Sequence, residues 1–168
     1  DYNLTDDETL NQKEFLAKVK ASPESPKTAC PSPESFKEAF EGEAEYIFVV
    51  TLSNHLSGCY NSAALAKRLY EEEHGTDGKK IAVIDSLSAS AGELNIALFI
   101  RDLCEKELPF EEICRQTEAY RDSMNTYFVI ETLDFLKKNG RLTGLTAFIA
   151  SALNIKPVMG ADSGTIIK

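Results

Sequence analysis

The feature that most limits the folds open to this chain is Tyr46-Ile47-Phe48-Val49-Val50-Thr51-Leu52, a run of β-favouring residues with no polar alternation. A strand with one face in water alternates apolar and polar residues. An uninterrupted run describes a strand covered on both faces, as in a parallel sheet. Lys80-Ile81-Ala82-Val83-Ile84 repeats the pattern, and Asp85-Ser86 ends it. Residues 59–73 lie between the two runs and carry Ala63, Leu65, Ala66, Leu69 and Tyr70 at helical spacing; a long helix is expected from about Ser90 to Glu107. Strand, helix, strand, helix is the order of an α/β layer, a parallel sheet with flanking helices.

The flanks extend this layer and then leave it. Phe15, Leu16 and Val19 predict a short helix over residues 11–20, and the prolines of Ser22-Pro23-Glu24-Ser25-Pro26 make a loop after it. Ser32, Pro33 and Glu34 form a helix start, with Phe36, Ala39 and Phe40 as its inward stripe. Pro109 restarts a helix running from Phe110 to about Asp122, and Tyr127-Phe128-Val129-Ile130 is a third strand. Beyond it the pattern changes to two short helices, Leu133–Lys138 and about Thr146–Leu153, separated by the Asn139-Gly140 stop. Ile155–Met159 is an edge strand because Pro157 interrupts it, and Asp162-Ser163-Gly164 is a hairpin turn. The expectation is a parallel α/β domain over residues 1–122. The beginning of a second α+β domain, with a mostly antiparallel sheet, follows over 123–168. The polar opening from Asp1 to Thr9 and the strand-like close Thr165-Ile166-Ile167-Lys168 suggest part of a longer protein.

Charge narrows the partners. Among 168 residues, 18 basic side chains face 27 acidic ones, a net −9, so nucleic-acid backbones and anionic membrane faces are repelled. There is no apolar run of about 18 residues and no basic-then-apolar leader, so the expected protein is soluble and cytoplasmic, without stable membrane insertion. Cys30, Cys59, Cys104 and Cys114 show no CxxC spacing and no pairing with His55 or His74. No metal site is therefore expected, and the thiols are free in a reducing compartment.

Open α/β sheets bind ligands at the carboxyl ends of their strands, where helix N-termini favour anions. Two loops occupy that position: Thr51-Leu52-Ser53-Asn54-His55-Leu56-Ser57-Gly58 and Asp85-Ser86-Leu87-Ser88-Ala89-Ser90-Ala91-Gly92. Gly58 admits close approach of a ligand and Ser57 offers a hydroxyl, which together suit a carboxylate or phosphate. Plain helix capping explains the same residues without a ligand. A serine or thiol hydrolase or transferase using Ser57 or Cys59 is the alternative. It lacks a well-placed base, because His55 is two residues from Ser57 on the same turn and His74 is near the far end of the helix. The loop lacks a Walker lysine, which removes support for nucleotide binding. Lys137, Lys138 and Arg141 form a basic cluster; the two lysines complement a helix end, and Arg141 has its direction set by a tight turn.

Four segments in register resemble the DegV family of bacterial fatty-acid-binding proteins. Lys27-Thr28-Ala29-Cys30-Pro31-Ser32-Pro33 is similar to its K-T-S-x-P-S-P, and Leu56-Ser57-Gly58-Cys59-Tyr60-Asn61-Ser62-Ala63 to its L-S-G-T-Y-x-S-A. Val83-Ile84-Asp85-Ser86 with Gly92 is similar to its V-I-D-S…G. Leu136-Lys137-Lys138-Asn139-Gly140-Arg141-Leu142 with Leu153-Asn154-Ile155-Lys156-Pro157 is similar to its L-K-K-G-G-R-I…L-N-I-K-P. The resemblance implies a carrier, not a catalyst. It would hold one long-chain fatty acid, with no other cofactor, and present the carboxylate to a separate fatty-acid kinase that makes an acyl phosphate.

Carried over, Thr28 and Ser57 donate hydroxyls to the carboxylate, Ser53, Asn54 and Gly58 shape its cradle, and Arg141 faces the domain interface or the partner. Ala29 stands where the family has serine, Cys59 where it has threonine and Asn139 where it has glycine. The family's opening strand and its C-terminal half have no counterpart. Candidate tail contacts are Ile96, Phe99, Phe148 and Ile149, each of which plain core packing also explains. Burying about 15 methylenes yields roughly 12 kcal/mol before ordering costs, whereas an unpaired buried carboxylate costs several kcal/mol. On these terms the tail supplies affinity and the hydroxyls prevent its loss.

Overall fold

In the computed structural model, strands β1 (Tyr46–Thr51) and β2 (Lys80–Asp85) pair in parallel from Tyr46↔Lys80 to Thr51↔Asp85. The structure describes residues 4, 5, 7–130, 136, 156 and 158–167. Side chains alternate across a strand, and the alternation here feeds two cores. Phe48, Val50, Ala82 and Ile84 face helices α4 (Ala91–Cys104) and α5 (Phe110–Ser123), packing with Ile96, Ile100, Leu103 and Ile113. Ile47, Val49 and Ile81 face the opposite side, where α2 (Pro33–Ala39) and α3 (Cys59–His74) contribute Phe36, Phe40, Ala66 and Tyr70. The absence of polar alternation in the strands follows from this double cover.

Local signals act where expected. Ser32 Oγ accepts from Ser35 N at the start of α2, with Pro33 as first helical residue. A further helix, α1 (Gln12–Ala21), is capped by Asn11 and buries none of its residues. The long helix expected to reach Glu107 ends at Cys104, because Glu107 takes a left-handed φ of 54° and turns the chain before Pro109. Ala39, expected in the inward stripe of α2, is exposed, whereas Phe40 carries the burial.

Pairing then changes sense. Strands β3 (Tyr127–Phe128), β4 (Met159–Asp162) and β5 (Thr165–Ile167) form an antiparallel sheet in that order. The Ser163-Gly164 turn, with φ of 48° and 80°, fixes the register Asp162↔Thr165. The third strand was expected to reach Ile130 but ends at Phe128, since its partner begins at Met159, opposite Phe128. Of the strand expected at Ile155–Met159, only Met159 is paired among the described residues, and the pairing continues instead to Asp162. The expected helices at Leu133–Lys138 and Thr146–Leu153 lie outside the described residues except for Leu136, which is helical.

Ile96 is fully buried between α4 and the sheet, whereas Leu98, two residues on, keeps 38% of its surface exposed. Ile96→Ala is expected to lower stability by about 2–5 kcal/mol through lost burial and a residual cavity. Leu98→Ala should change it by about 1 kcal/mol or less. Urea denaturation of the two variants measures the contrast.

Candidate functional site

Two loops leave the carboxyl ends of β1 and β2 side by side. Ser53 N donates to Ser88 O at 2.9 Å and Ser86 N donates to Thr51 O at 3.1 Å, extending the strand pairing into the loops. Asp85 fastens both: its Oδ1 accepts from Asn54 N at 3.3 Å and from Leu87 N at 3.0 Å. The first loop closes on itself through Leu56 N and Ser57 N, both donating to Ser53 O. In the second loop, Leu87 and Ser90 hold positive φ values of 51° and 53°, a strain that close backbone packing must maintain. Glu93 Oε1 accepts from Ser90 N at 2.8 Å and steadies the start of α4.

The hairpin of the antiparallel sheet docks against these loops. Ser53 Oγ, fully buried, donates to Gly164 O at 2.8 Å. A Cβ on Gly164 would stand 2.4 Å from Ser53 Oγ and 3.2 Å from Leu87 Cα, so only glycine allows this approach. On the other side of the second loop, Ser88 Oγ and Thr126 Oγ1 share a hydrogen bond of 2.7 Å.

Between the loops and the second sheet lies a cavity of about 570 Å³, a size typical of small-molecule sites. Leu52, Leu56, Leu87, Phe128, Ile130, Leu136 and Ile166 give it an apolar wall. Thr28, Ser57, Ser88, Ser90 and Thr126 bring hydroxyls to it from separate segments. Among the described residues its lining contains no carboxylate, amine, guanidinium or imidazole. An anion held here is met by neutral donors, not by opposite charge.

The expected site residues fall in different places. Thr28 and Ser57 line the cavity together. Ser53 is committed to the loop and hairpin bonds given above. Asn54 is exposed and contributes its backbone N–H to Asp85; Gly58 is exposed, and a Cβ there would lie 3.2 Å from Cys30 Sγ. Ile96 belongs to the core under α4, where Phe99 stacks on Tyr120 at 4.3 Å. Arg141, Phe148 and Ile149 lie outside the described residues. Thr126 was not anticipated. Its hydroxyl reaches the cavity only because the chain returns to the sheet end after α5, which no local pattern announces.

Chemically the arrangement offers hydrogen-bond donors and an apolar chamber. Ser57 Oγ donates to Cys59 Sγ at 3.2 Å and accepts from Cys59 N at 3.3 Å, while the contact of His55 with this turn is its backbone N–H to Ser53 Oγ. No base is arrayed on Ser57 among the described residues, so nucleophilic activation in the Ser-His manner has no support in the geometry. The described residues hold no cluster of three or more histidine, cysteine or acidic side chains suited to a metal. No helix among them is long and apolar enough to cross a membrane.

Fold and site together define an α/β protein with a largely apolar cavity at the carboxyl ends of its parallel strands. The chain belongs to the DegV family, whose model, described as that of an uncharacterised protein family, matches residues 1–168. A DegV domain-containing protein of Streptococcus pneumoniae is 40% identical over an alignment 168 positions long that covers 99% of this chain and 58% of that protein. A DegV family protein from Ruminococcus gnavus, with its structure refined with vaccenic acid, is 51% identical; the match has a TM-score of 0.93 and covers 99% of this chain and 59% of that one. The Streptococcus pneumoniae fatty acid kinase B3 protein loaded with linoleic acid is 40% identical, with a TM-score of 0.85 over 96% of this chain and 57% of that one. The chain thus spans somewhat more than half the length of these relatives.

The Ser53 to Gly164 contact makes a stability test of the docking. Ser53→Ala leaves a buried carbonyl without its donor and is expected to cost about 1–3 kcal/mol. Gly164→Ala adds backbone strain and a clash, and is expected to cost more than Ser53→Ala. Melting temperatures of the two variants against the parent check the order.

Proposed function

We propose that this chain binds a long-chain fatty acid in the cavity, its carboxylate held by Thr28 and Ser57 and its acyl chain laid along the leucine, isoleucine and phenylalanine wall. The observation that carries the reading is an apolar chamber of about 570 Å³ whose polar points are hydroxyls and whose described lining bears no charge. A carboxylate on a long hydrocarbon matches both parts: burial of each methylene contributes about 0.8 kcal/mol, and neutral donors satisfy the head group without a buried counter-ion. The fatty acids bound by the Ruminococcus gnavus and Streptococcus pneumoniae neighbours support it. The hydroxyl pair Ser88 and Thr126 has one hydrogen left after its internal bond and supplies a further donor to the same chamber.

In this reading the protein is a carrier that needs no cofactor beyond its lipid. It hands the carboxylate to a separate fatty-acid kinase for acyl-phosphate formation, and the name of the pneumococcal neighbour supports that partnership. Residues 1–122 form the parallel domain that holds the head group, and 123–168 begin the lipid-covering one; the change from parallel to antiparallel pairing between β2 and β3 favours this division. Four free cysteines accord with a reducing, cytoplasmic setting.

Lipid extraction of the purified protein followed by mass spectrometry is expected to recover a long-chain fatty acid in near-stoichiometric amount. Ser57→Ala and Thr28→Val should each weaken binding about three- to tenfold, the worth of one hydrogen bond, with little change in melting temperature of the ligand-free protein. A fluorophosphonate that labels Ser57, or a protein that carries no acyl chain and takes none up, rejects the carrier reading. Incubation with a fatty-acid kinase and ATP, with hydroxylamine trapping the acyl phosphate, tests the hand-over.

A further inference from the structure

Residues 28–32 run beside the first turn of α3 and are held there at several points. Thr28 and Ser57 share the cavity wall. Cys30 Sγ lies 3.2 Å from where a Gly58 Cβ would stand. Pro31 O accepts from Ser62 Oγ at 2.7 Å. Cys59 directly follows Gly58, and Ser62 is three residues further along the helix, on the same face. An extended segment advances about 3.3 Å per residue and a helix about 1.5 Å. With Pro31 at Ser62, the preceding residue of the segment therefore falls near the level of Cys59. Both thiols are free, Cys30 exposed and Cys59 half-buried.

We propose that Cys30 and Cys59 form a reversible disulfide beside the cavity-lining Thr28 and Ser57, and that this bridge slows release of the bound acyl ligand. The bridge stands on the two cysteines alone; its effect on release rests on the fatty-acid reading. Hydrogen peroxide is the oxidant. The exposed Cys30 thiol attacks it and becomes a sulfenic acid with loss of one water. Cys59 sulfur then attacks the sulfenic sulfur, the S–S bond forms, and the hydroxyl leaves as a second water. Two thiols and one hydrogen peroxide give one disulfide and two waters.

Two consequences bear on the cavity. The bridge ties the Thr28 segment to the helix that follows Ser57, holding the two head-group donors side by side. Cys59 Sγ also turns toward Cys30, removing the acceptor that now takes the only hydrogen of Ser57. That hydrogen becomes free for the carboxylate. The other two cysteines are placed elsewhere, Cys104 at the end of α4 and Cys114 on α5, where burial pushes the Cys114 thiol above its ordinary value and nearby Glu118 and Glu111 add to the shift.

The test treats the full chain with dilute hydrogen peroxide and follows two readouts. Non-reducing digestion is expected to yield a peptide joining Cys30 to Cys59, with the intact mass lower by two hydrogens. Release of a long-chain fatty acid bearing a fluorescent reporter should slow about three- to tenfold, the worth of one hydrogen bond, and dithiothreitol should restore it. Cys30→Ser should release at the reduced rate with or without peroxide. If that variant misfolds, oxidation and re-reduction of the parent give the same comparison. Sulfinic acid on Cys30, or linked dimers, without the internal peptide overturns the disulfide. The internal peptide with unchanged release overturns the gating. A protein that binds no fatty acid overturns the function proposed above and the gating with it, while the peptide map still decides the bridge.

Discussion

The hydrogen bond from Ser53 to Gly164 joins residues 111 apart in sequence and brings the antiparallel hairpin onto the end of the parallel sheet. Its donor has no exposed surface and its acceptor sits in a turn that only glycine can bring so close. The same serine gives its N–H to Ser88 O and its carbonyl to two turns of the first loop. One side chain and its backbone thus hold three segments, and the cavity takes its lining from all three: Leu56 and Ser57 from the first loop, Leu87 and Ser88 from the second, Gly164 and Ile166 from the hairpin. With the Ser88 to Thr126 bond, this junction holds the second sheet over the loops and closes the chamber.

Much of the frame could be read from the sequence, because the information is local. A continuous apolar run gave β1 and β2, helical spacing gave α3, Pro109 placed the start of α5, and Ser-Pro-Glu placed the start of α2 within one residue. The candidate site was legible in two ways. Ser57 could be read from its place in the loop that hands a buried strand to a helix, whereas Thr28 came only from a segment whose resemblance is confined to a few residues. Thr126 and Ser53 show what escapes such reading. Thr126 gains its place from the return of the chain to the end of β2, and Ser53 is one loop hydroxyl among several until the hairpin arrives to accept from it. The strained φ values at Leu87 and Ser90 are likewise imposed by packing, since neither residue favours them.

Charge and binding are reconciled by the same geometry. A chain with net charge −9 repels anions at long range, so on the proposed reading a fatty-acid carboxylate would reach the cavity with its hydrocarbon, driven by burial. The described lining then offers it hydroxyls in place of lysine or arginine. A buried cation waiting for its ligand would be an uncompensated charge in the empty chamber, whereas serine and threonine bond one another or a neighbour until the ligand arrives. Ser88 with Thr126, and Ser57 with Cys59, are such resting arrangements.

These resting bonds also bound the head-group affinity. Each hydroxyl has a single hydrogen, so a carboxylate that takes the one from Ser57 breaks its bond to Cys59 and gains only the difference between a strong acceptor and a weak sulfur one. The Ser88 and Thr126 pair spends one hydrogen inside and can give the other. On the proposed reading the head group would be satisfied more than gripped, and most of the binding free energy would come from the tail. That partition suits a carrier: the carboxylate can be surrendered to a second protein while the acyl chain stays buried, because breaking the polar contacts costs only the modest free energy of a few exchanged hydrogen bonds.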